Sequence, residues 1–271
     1  MGLLNGIAGV IVQVLVSPFK GIPWLGLVLV SAVAGAAMLV IYKYTSNQAG
    51  IKRAKDRIKA HLFEMLLYRD DIVVSFRAQG RILKANLVYM AYAVVPLLVI
   101  LPVVLLILSQ LEAWYGMRPL KVGESTQVKV VLGPGGTGLP TGELQIPEGL
   151  SVETPAYRSP AGSEVMWRVR AVGEGQHEMK VVIDGAEAAK SVVVGAGLHR
   201  LSERRGRSFL DRLLYPVEKP LPKDSGILAI DIQYPDADVK MGPVETHWLV
   251  FFFVLSILFA FALRGPLGVE I

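Results

Sequence analysis

Three stretches of the sequence are apolar for long enough to fill a bilayer. Trp24 to Tyr42 is nineteen residues without a charge, Leu87 to Leu108 is a second such run, and His247 to Leu263 (HWLVFFFVLSILFAFAL) is a third. At about 1.5 Å of rise per residue, nineteen helical residues cover roughly the 30 Å hydrocarbon core. Tyr42, Tyr44, Trp114, Tyr115 and Trp248 stand at or beyond the ends of these runs, with Lys43 and Arg264 just outside. That is the arrangement of interfacial anchors. The pattern predicts transmembrane helices over residues 23–43, 87–110 and 247–264.

The remaining segments have other periods. In residues 1–22, Leu3, Leu4, Ile7, Val10, Ile11, Val14 and Leu15 fall at helical spacing, with Asn5 and Gln13 elsewhere and Pro18 as a stop. This reads as an amphipathic helix lying in the membrane interface; a cleaved or fully inserted segment is the alternative. Residues 44–86 contain no proline. The apolar stripe Ile51, Ala54, Ile58, Leu62, Met65 and Leu66, a reversal at Tyr68-Arg69-Asp70-Asp71, and a second arm with Ile72, Phe76, Ile82 and Leu83 predict a helical hairpin. Asp70 or Asp71 caps the returning helix.

Over 119–197 the period shortens to two. TQVKVVL, GELQIP, LSVETP, EVMWRVRAV, HEMKVVID and AKSVVVG read as short strands between turns such as GPGGTGLPTG, RSPAGS and GEGQ. Val165, Trp167 and Val169 share one face, and Met166, Arg168 and Arg170 the other. Six or seven short strands in this length predict an immunoglobulin-like β-sandwich with Trp167 in its core. Residues 198–246 predict a juxtamembrane segment containing a short amphipathic helix (RSFLDRLLYP) and one more strand (ILAIDIQYP). The predicted fold class is thus a membrane α-helical protein with a β insert.

Charge then sets the threading. Lys43 to Asn86 holds ten Lys/Arg against four Asp/Glu, whereas Gln110 to Thr246 holds sixteen against eighteen. A short basic loop stays in the cytoplasm and a long near-neutral segment crosses. The expectation is a bacterial inner (plasma) membrane protein with its N-terminus outside and its C-terminus in the cytoplasm. The net charge of +5 therefore reflects loop asymmetry before it suggests nucleic acid.

Candidate chemistry is sparse. The chain has no cysteine, and His61, His177, His199 and His247 are scattered without metal-ligand spacing. There is no GxSxG and no phosphate-binding glycine loop. No catalytic residue, metal site or cofactor is assigned, and the expectation is a protein that is not an enzyme. The spans hold no ionisable residue deep in the hydrocarbon, which argues against an ion-coupled transporter. Span one carries Ser31, Ala32, Gly35 and Ala36, a small-residue face. Span two carries Pro96 and Pro102, with Asn86, Tyr89 and Tyr92 at its cytoplasmic end. These features serve helix packing, or line a shallow hydrated groove. Lys52, Arg53, Lys55, Arg57 and Lys59 make one face of the hairpin basic. That face meets anionic lipid, or ribosomal RNA or an acidic partner.

The order of parts resembles the YidC/Oxa insertase superfamily, most closely its reduced three-span members. The matching stretch runs from SPFKGIPWLGLVLVSAVAGAAMLVIYKY through the basic hairpin to ILKANLVYMAYAVVPLLVILP, and with span three it covers roughly half of the chain. The resemblance is one of topology and composition. It implies a groove in the inner leaflet through which substrate helices enter the bilayer. Its mouth would be formed by Lys43, Asn86, Tyr89, Tyr92 and Arg264, with the basic hairpin face meeting clients. The implied partners are membrane lipid, nascent or partner membrane proteins and the ribosome, with an extracytoplasmic protein for the β-sandwich. The membrane-embedded arginine of that family has no counterpart here, and the β insert is not a standard part of its minimal members. A second reading is a non-enzymatic accessory or scaffold subunit of an envelope complex, binding partners through the β-sandwich.

Overall fold

A computed structural model of the chain describes residues 2–68, 70–133, 142–159, 164–183, 185–222 and 225–269. Expectations that fall on Arg69, on the side chain of Leu3, and on the turns through 134–141 and 160–163 lie outside the described residues. Helix α1 is Gly2–Val16, α2 Pro23–Thr45, α3 Gln48–Leu67 and α4 Ile72–Leu111. Strands β1 Ser125–Leu132, β2 Gly142–Gln145, β3 Leu150–Val152, β4 Tyr157–Arg158, β5 Glu164–Ala171, β6 Gly175–Ile183 and β7 Ala186–Val194 follow. Then come β8 Arg204–Gly206, α5 Phe209–Leu214, β9 Ile227–Ile232, β10 Asp238–Met241, β11 Val244–His247 and α6 Trp248–Leu267. Among the described residues three helices are long and apolar enough to cross a membrane: Pro23–Thr45, Ile72–Gly116 and Trp248–Leu267. The chain divides into two compact units, Met1–Leu29 with Leu105–Phe251, and Val30–Val104 with Phe252–Ile271.

The first unit is built on antiparallel sheets. One runs β3-β5-β1-β9-β8 with β4 on β5, a second runs β2-β6-β7, and β10 pairs with β11. Alternation decides which side chains meet. Along β1 Thr126, Val128 and Val130 are buried, opposite Val169, Trp167 and Val165 of β5. Met179, Val181 and Ile183 of β6, with Ala188, Val192 and Val194 of β7, join the same apolar cluster. The inner faces of both sheets therefore share one core. Each fully buried Val, Leu or Ile there contributes about 1.5–3 kcal/mol. Trp167 is buried while Arg168 and Arg170 are exposed, as the alternation predicts.

The chain stays in this sheet beyond residue 197, where the sequence pattern ended the β region. β9 lies between β1 and β8, pairing Val130 with Ile230 and Arg205 with Ile230 on its two sides. Arg204–Gly206 and Ile227–Ile232 of the 198–246 segment thus belong to the same sheet as β1 and β5. A three-residue strand shows no period, and the partner of β9 lies about a hundred residues upstream, so local patterning does not reveal the pairing. The short helix predicted after it is α5. Ser208 caps it by accepting from Asp211 N at 3.0 Å while Asp211 accepts from Ser208 N at 3.0 Å.

Lys190 occupies an inward position of β7, with its side chain fully buried. Its ammonium donates to the Ser202 carbonyl and to Glu218 Oε1, both at 2.6 Å. Burial pulls its pKa below the ordinary lysine value, against the pull of Glu218.

Also in this unit, α4 ends in a π-type turn over Glu112–Gly116. Trp114 and Tyr115 are buried. The Tyr115 hydroxyl donates to the Pro23 carbonyl at 3.0 Å, Leu201 N donates to the Ala113 carbonyl at 2.7 Å, and Trp248 Nε1 donates to Glu112 at 3.1 Å. Tyr115 and Trp248, two of the residues read as interfacial anchors, thus hold together the ends of α2, α4 and α6 within this unit.

In the second unit, α3 starts at Asn47, whose side chain accepts from Gly50 N at 2.9 Å. The return to α4 is capped by Asp71, which accepts from Val73 N at 2.9 Å and Val74 N at 3.1 Å. From there α4 runs unbroken through Pro96 and Pro102. The two arms are tied by Arg81 Nη1 donating to Glu64 Oε1 at 2.9 Å. On the α3 stripe Ile51 and Ala54 are buried, but Leu62 and Leu66 are exposed.

Candidate functional site

In the second unit, α2 and α6 meet backbone to backbone. A Cβ placed on Gly35 would lie 2.4 Å from the Ser256 carbonyl oxygen, so only glycine allows this approach. Farther along, Lys43 Nζ donates to the Leu267 carbonyl at 2.8 Å, closing the C-terminal end of α6 against α2. At the base of the hairpin, a Cβ on Gly50 would lie 2.8 Å from the Tyr92 ring, so α3 rests directly on α4 there.

Two of the five residues assigned to a groove mouth therefore make defined contacts between helices: Lys43 joins α2 to α6, and Tyr92 joins α4 to α3. Tyr89 is half-buried, while Asn86 and Arg264 are exposed. On the hairpin, Lys52, Arg53, Arg57 and Lys59 are exposed and Lys55 is half-buried. Arg53 Nε also donates to the Ala49 carbonyl at 3.2 Å. The described residues contain no group of three or more His, Asp or Glu placed to hold a metal ion.

The burial of the three apolar helices is unequal. Across the most apolar eighteen residues, α2 is 39% buried, α6 17% and α4 only 6%. Val94, Val95, Leu97, Leu98 and Leu101 of α4 are all exposed. Pro96 and Pro102 have no N–H to offer the carbonyls four residues back, at Tyr92 and Leu98. The most exposed of the three apolar helices is thus also the one with two prolines in its interior, where α6 has only Pro266.

No protein-family model matches the sequence, and no curated protein matches it. A crystal structure of domains 4 and 5 of the S-layer protein SbsC is similar over 30% of this chain and 48% of that one, at 22% identity and a TM-score of 0.24. This chain therefore spans about half the length of that structure.

A polar chain in the first unit was not assigned from the sequence. Asn5 Nδ2 donates to the Arg212 carbonyl at 2.7 Å. Gln110 Nε2 donates to Asn5 Oδ1 at 2.7 Å, and Arg200 donates through Nη2 to Gln110 Oε1 at 2.7 Å. Asn5 and Gln110 are buried. The available signal was an amide in each of two otherwise apolar runs. The side of α1 facing the protein is the stripe Asn5, Gly9, Val12 and Val16, leaving Leu4, Ile7, Val10, Ile11 and Val14 exposed.

Proposed function

We propose that the protein is an integral membrane protein of YidC/Oxa-like design that assists the insertion or assembly of other membrane proteins, with no covalent step. In this reading the α3–α4 hairpin is cytoplasmic and the N-terminus lies outside. The paired sheets form an extracytoplasmic immunoglobulin-like sandwich, and the membrane is a bacterial inner membrane. Lys43, Asn86, Tyr89, Tyr92 and Arg264 frame the cytoplasmic mouth of a groove. Lys52, Arg53, Lys55, Arg57 and Lys59 attract anionic lipid, ribosome or client.

The observation that carries this reading is the bare face of α4 formed by Val94, Val95, Leu97, Leu98 and Leu101, next to the exposed Pro102. Helix association in lipid depends on packing and on pairing polar groups. An uncovered span in which Pro96 and Pro102 withhold two backbone donors offers its exposed apolar residues to an entering helix. Local hydration there lowers the cost of drawing the client's polar flank across.

The test is insertion of a short-tailed client with a photo-reactive side chain at Val94, Leu97 or Ala34. Client adducts from positions 94 and 97, none from the buried Ala34, and slower insertion after removal of the hairpin support the reading. Undiminished insertion without the hairpin rejects it. The same bare face supports a second reading, an accessory subunit whose partner span covers α4 and whose β unit binds an envelope protein. Stable co-purification of one partner, lost on disrupting the β unit and unaffected by the hairpin, would favour that reading.

A further inference from the structure

The polar chain at Asn5 opens on a pocket of about 370 Å³ whose lining includes Asn5, Gly6, Gln13, Arg200, Arg212 and Glu218. Three features give it a chemical character. First, its charge is positive. Arg200 and Arg212 both line it, and the Glu218 carboxylate is already engaged by the buried Lys190 ammonium at 2.6 Å. Second, its donor capacity is not used up. Arg200 spends Nη2 on Gln110, but its Nε is buried with no partner among the described residues. The exposed Arg212 guanidinium makes one long bond, from Nη2 to the Arg207 carbonyl at 3.4 Å, so further N–H groups are open to an anion brought into the pocket. Third, its surroundings are apolar on the outside. Ile7, Val10, Ile11 and Val14 of α1 are exposed, as are Phe209 and Leu210 of α5, and the two helices pack against each other.

Helix α1 has fifteen residues, about 22 Å at 1.5 Å each, too short to cross a bilayer. It leads through one short turn into α2, which is long enough. The exposed apolar face is therefore continuous with a candidate span. A cationic pocket beside an apolar face matches a molecule with an anionic head and hydrocarbon tails.

We propose that the pocket between α1 and α5 binds the phosphate of an anionic phospholipid headgroup, with Arg200 and Arg212 donating to it and the acyl chains lying along the exposed faces of α1 and α5. The proposal rests on the membrane placement of α2, α4 and α6 and is independent of any part in protein insertion.

Native mass spectrometry of the full chain in detergent, titrated with phosphatidylglycerol, tests it. Arg212→Gln removes one donor while leaving the backbone carbonyl that Asn5 uses. Gly6→Leu fills the pocket without touching a charge, since a Cβ at Gly6 meets nothing within 4 Å. The wild type is expected to retain one lipid saturably. Each variant should lose at least about tenfold in affinity, the share of one hydrogen bond to a charged group. Gly80→Ala, also in open space, should bind as the wild type does.

Equal retention by wild type, Arg212→Gln and Gly6→Leu overturns the proposal. A competition arm with inorganic phosphate separates the two sources of this group. Persistence of the lipid supports the assignment, and its displacement at millimolar phosphate would overturn the lipid assignment in favour of a soluble phosphate. Membrane-fraction retention of each variant is read in parallel. A variant that leaves the membrane reports failure of the placement itself, whereas one that stays and loses lipid reports on the pocket.

Discussion

Replacing Gly35 by alanine should loosen the α2–α6 pair more than any other single methyl in the second unit. The added Cβ would stand 2.4 Å from the Ser256 carbonyl oxygen, where ordinary contact begins at 3.4 Å. The helices must therefore separate by about 1 Å. The obstructing atom is backbone, so no side-chain rotation relieves the clash. Overpacking of this kind costs about 1–3 kcal/mol, and the upper end applies when backbone must move. Alanine returns about 1 kcal/mol through its helix propensity. The net loss is about 2 kcal/mol, or roughly 4–8 °C in melting temperature for a protein of this size. Gly80→Ala is the matched control. It makes the same chemical change within α4, but its Cβ meets nothing within 4 Å, so only the propensity gain of about 1 kcal/mol remains. Melts of the two variants in the same detergent should move in opposite directions. A Gly35→Ala protein that melts at or above the wild type would refute the close approach of α2 and α6.

Three further outcomes follow from the contacts described. Gly50→Leu should unseat the hairpin base from the Tyr92 ring, costing about 1–3 kcal/mol, and adding Tyr92→Ala should restore part of the loss, measurable as coupling in a double-mutant cycle. Lys190→Ala should destabilise the β unit by about 3 kcal/mol because it leaves the Glu218 carboxylate with only Arg205, at 4.0 Å, while Lys190→Met combined with Glu218→Gln should recover most of that loss in a denaturant titration. Glu124 accepts from both Arg118 terminal nitrogens at 2.9 Å and from Lys121 N at 3.0 Å, chiefly through Arg118 holding its pKa near about 2. A carboxylate with a depressed pKa stabilises the fold above its ordinary pKa and loses that effect as pH falls toward 2. The wild type should therefore exceed Glu124→Gln by about 1 kcal/mol at neutral pH, reduced to this size by solvent screening of a partly exposed pair. The gap should close between pH 4.5 and 2.

What could be read in advance was whatever depends on neighbours close in sequence. The three apolar helices, the Asp71 cap, the inward Trp167 and the α5 helix each rest on residues within a few positions of one another. What could not be read depends on partners far apart. Asn5 looked like the solvated side of an amphipathic helix, yet its amide is buried on Gln110, 105 residues away. The same distance hid the central place of β9. It hid the pocket around Arg200 and Arg212 as well, because those side chains meet Asn5 and Gly6 only through α1, about two hundred residues upstream. Within the hairpin, the exposure of Lys52, Arg53, Arg57 and Lys59 was legible from their charge. The contacts of Lys43 and Tyr92 were not, since they depend on where α6 and α3 come to rest.

The placement of β9 also has a consequence for the order in which the chain matures. Until residues 227–232 have been made, β1 presents a raw edge that would otherwise recruit a foreign strand. Only fifteen residues separate Ile232 from Trp248, where the last apolar helix begins. Translation must therefore run almost to the final helix before the β unit can seal itself. A product truncated after β7 would carry an open, aggregation-prone seam in place of a smaller finished domain.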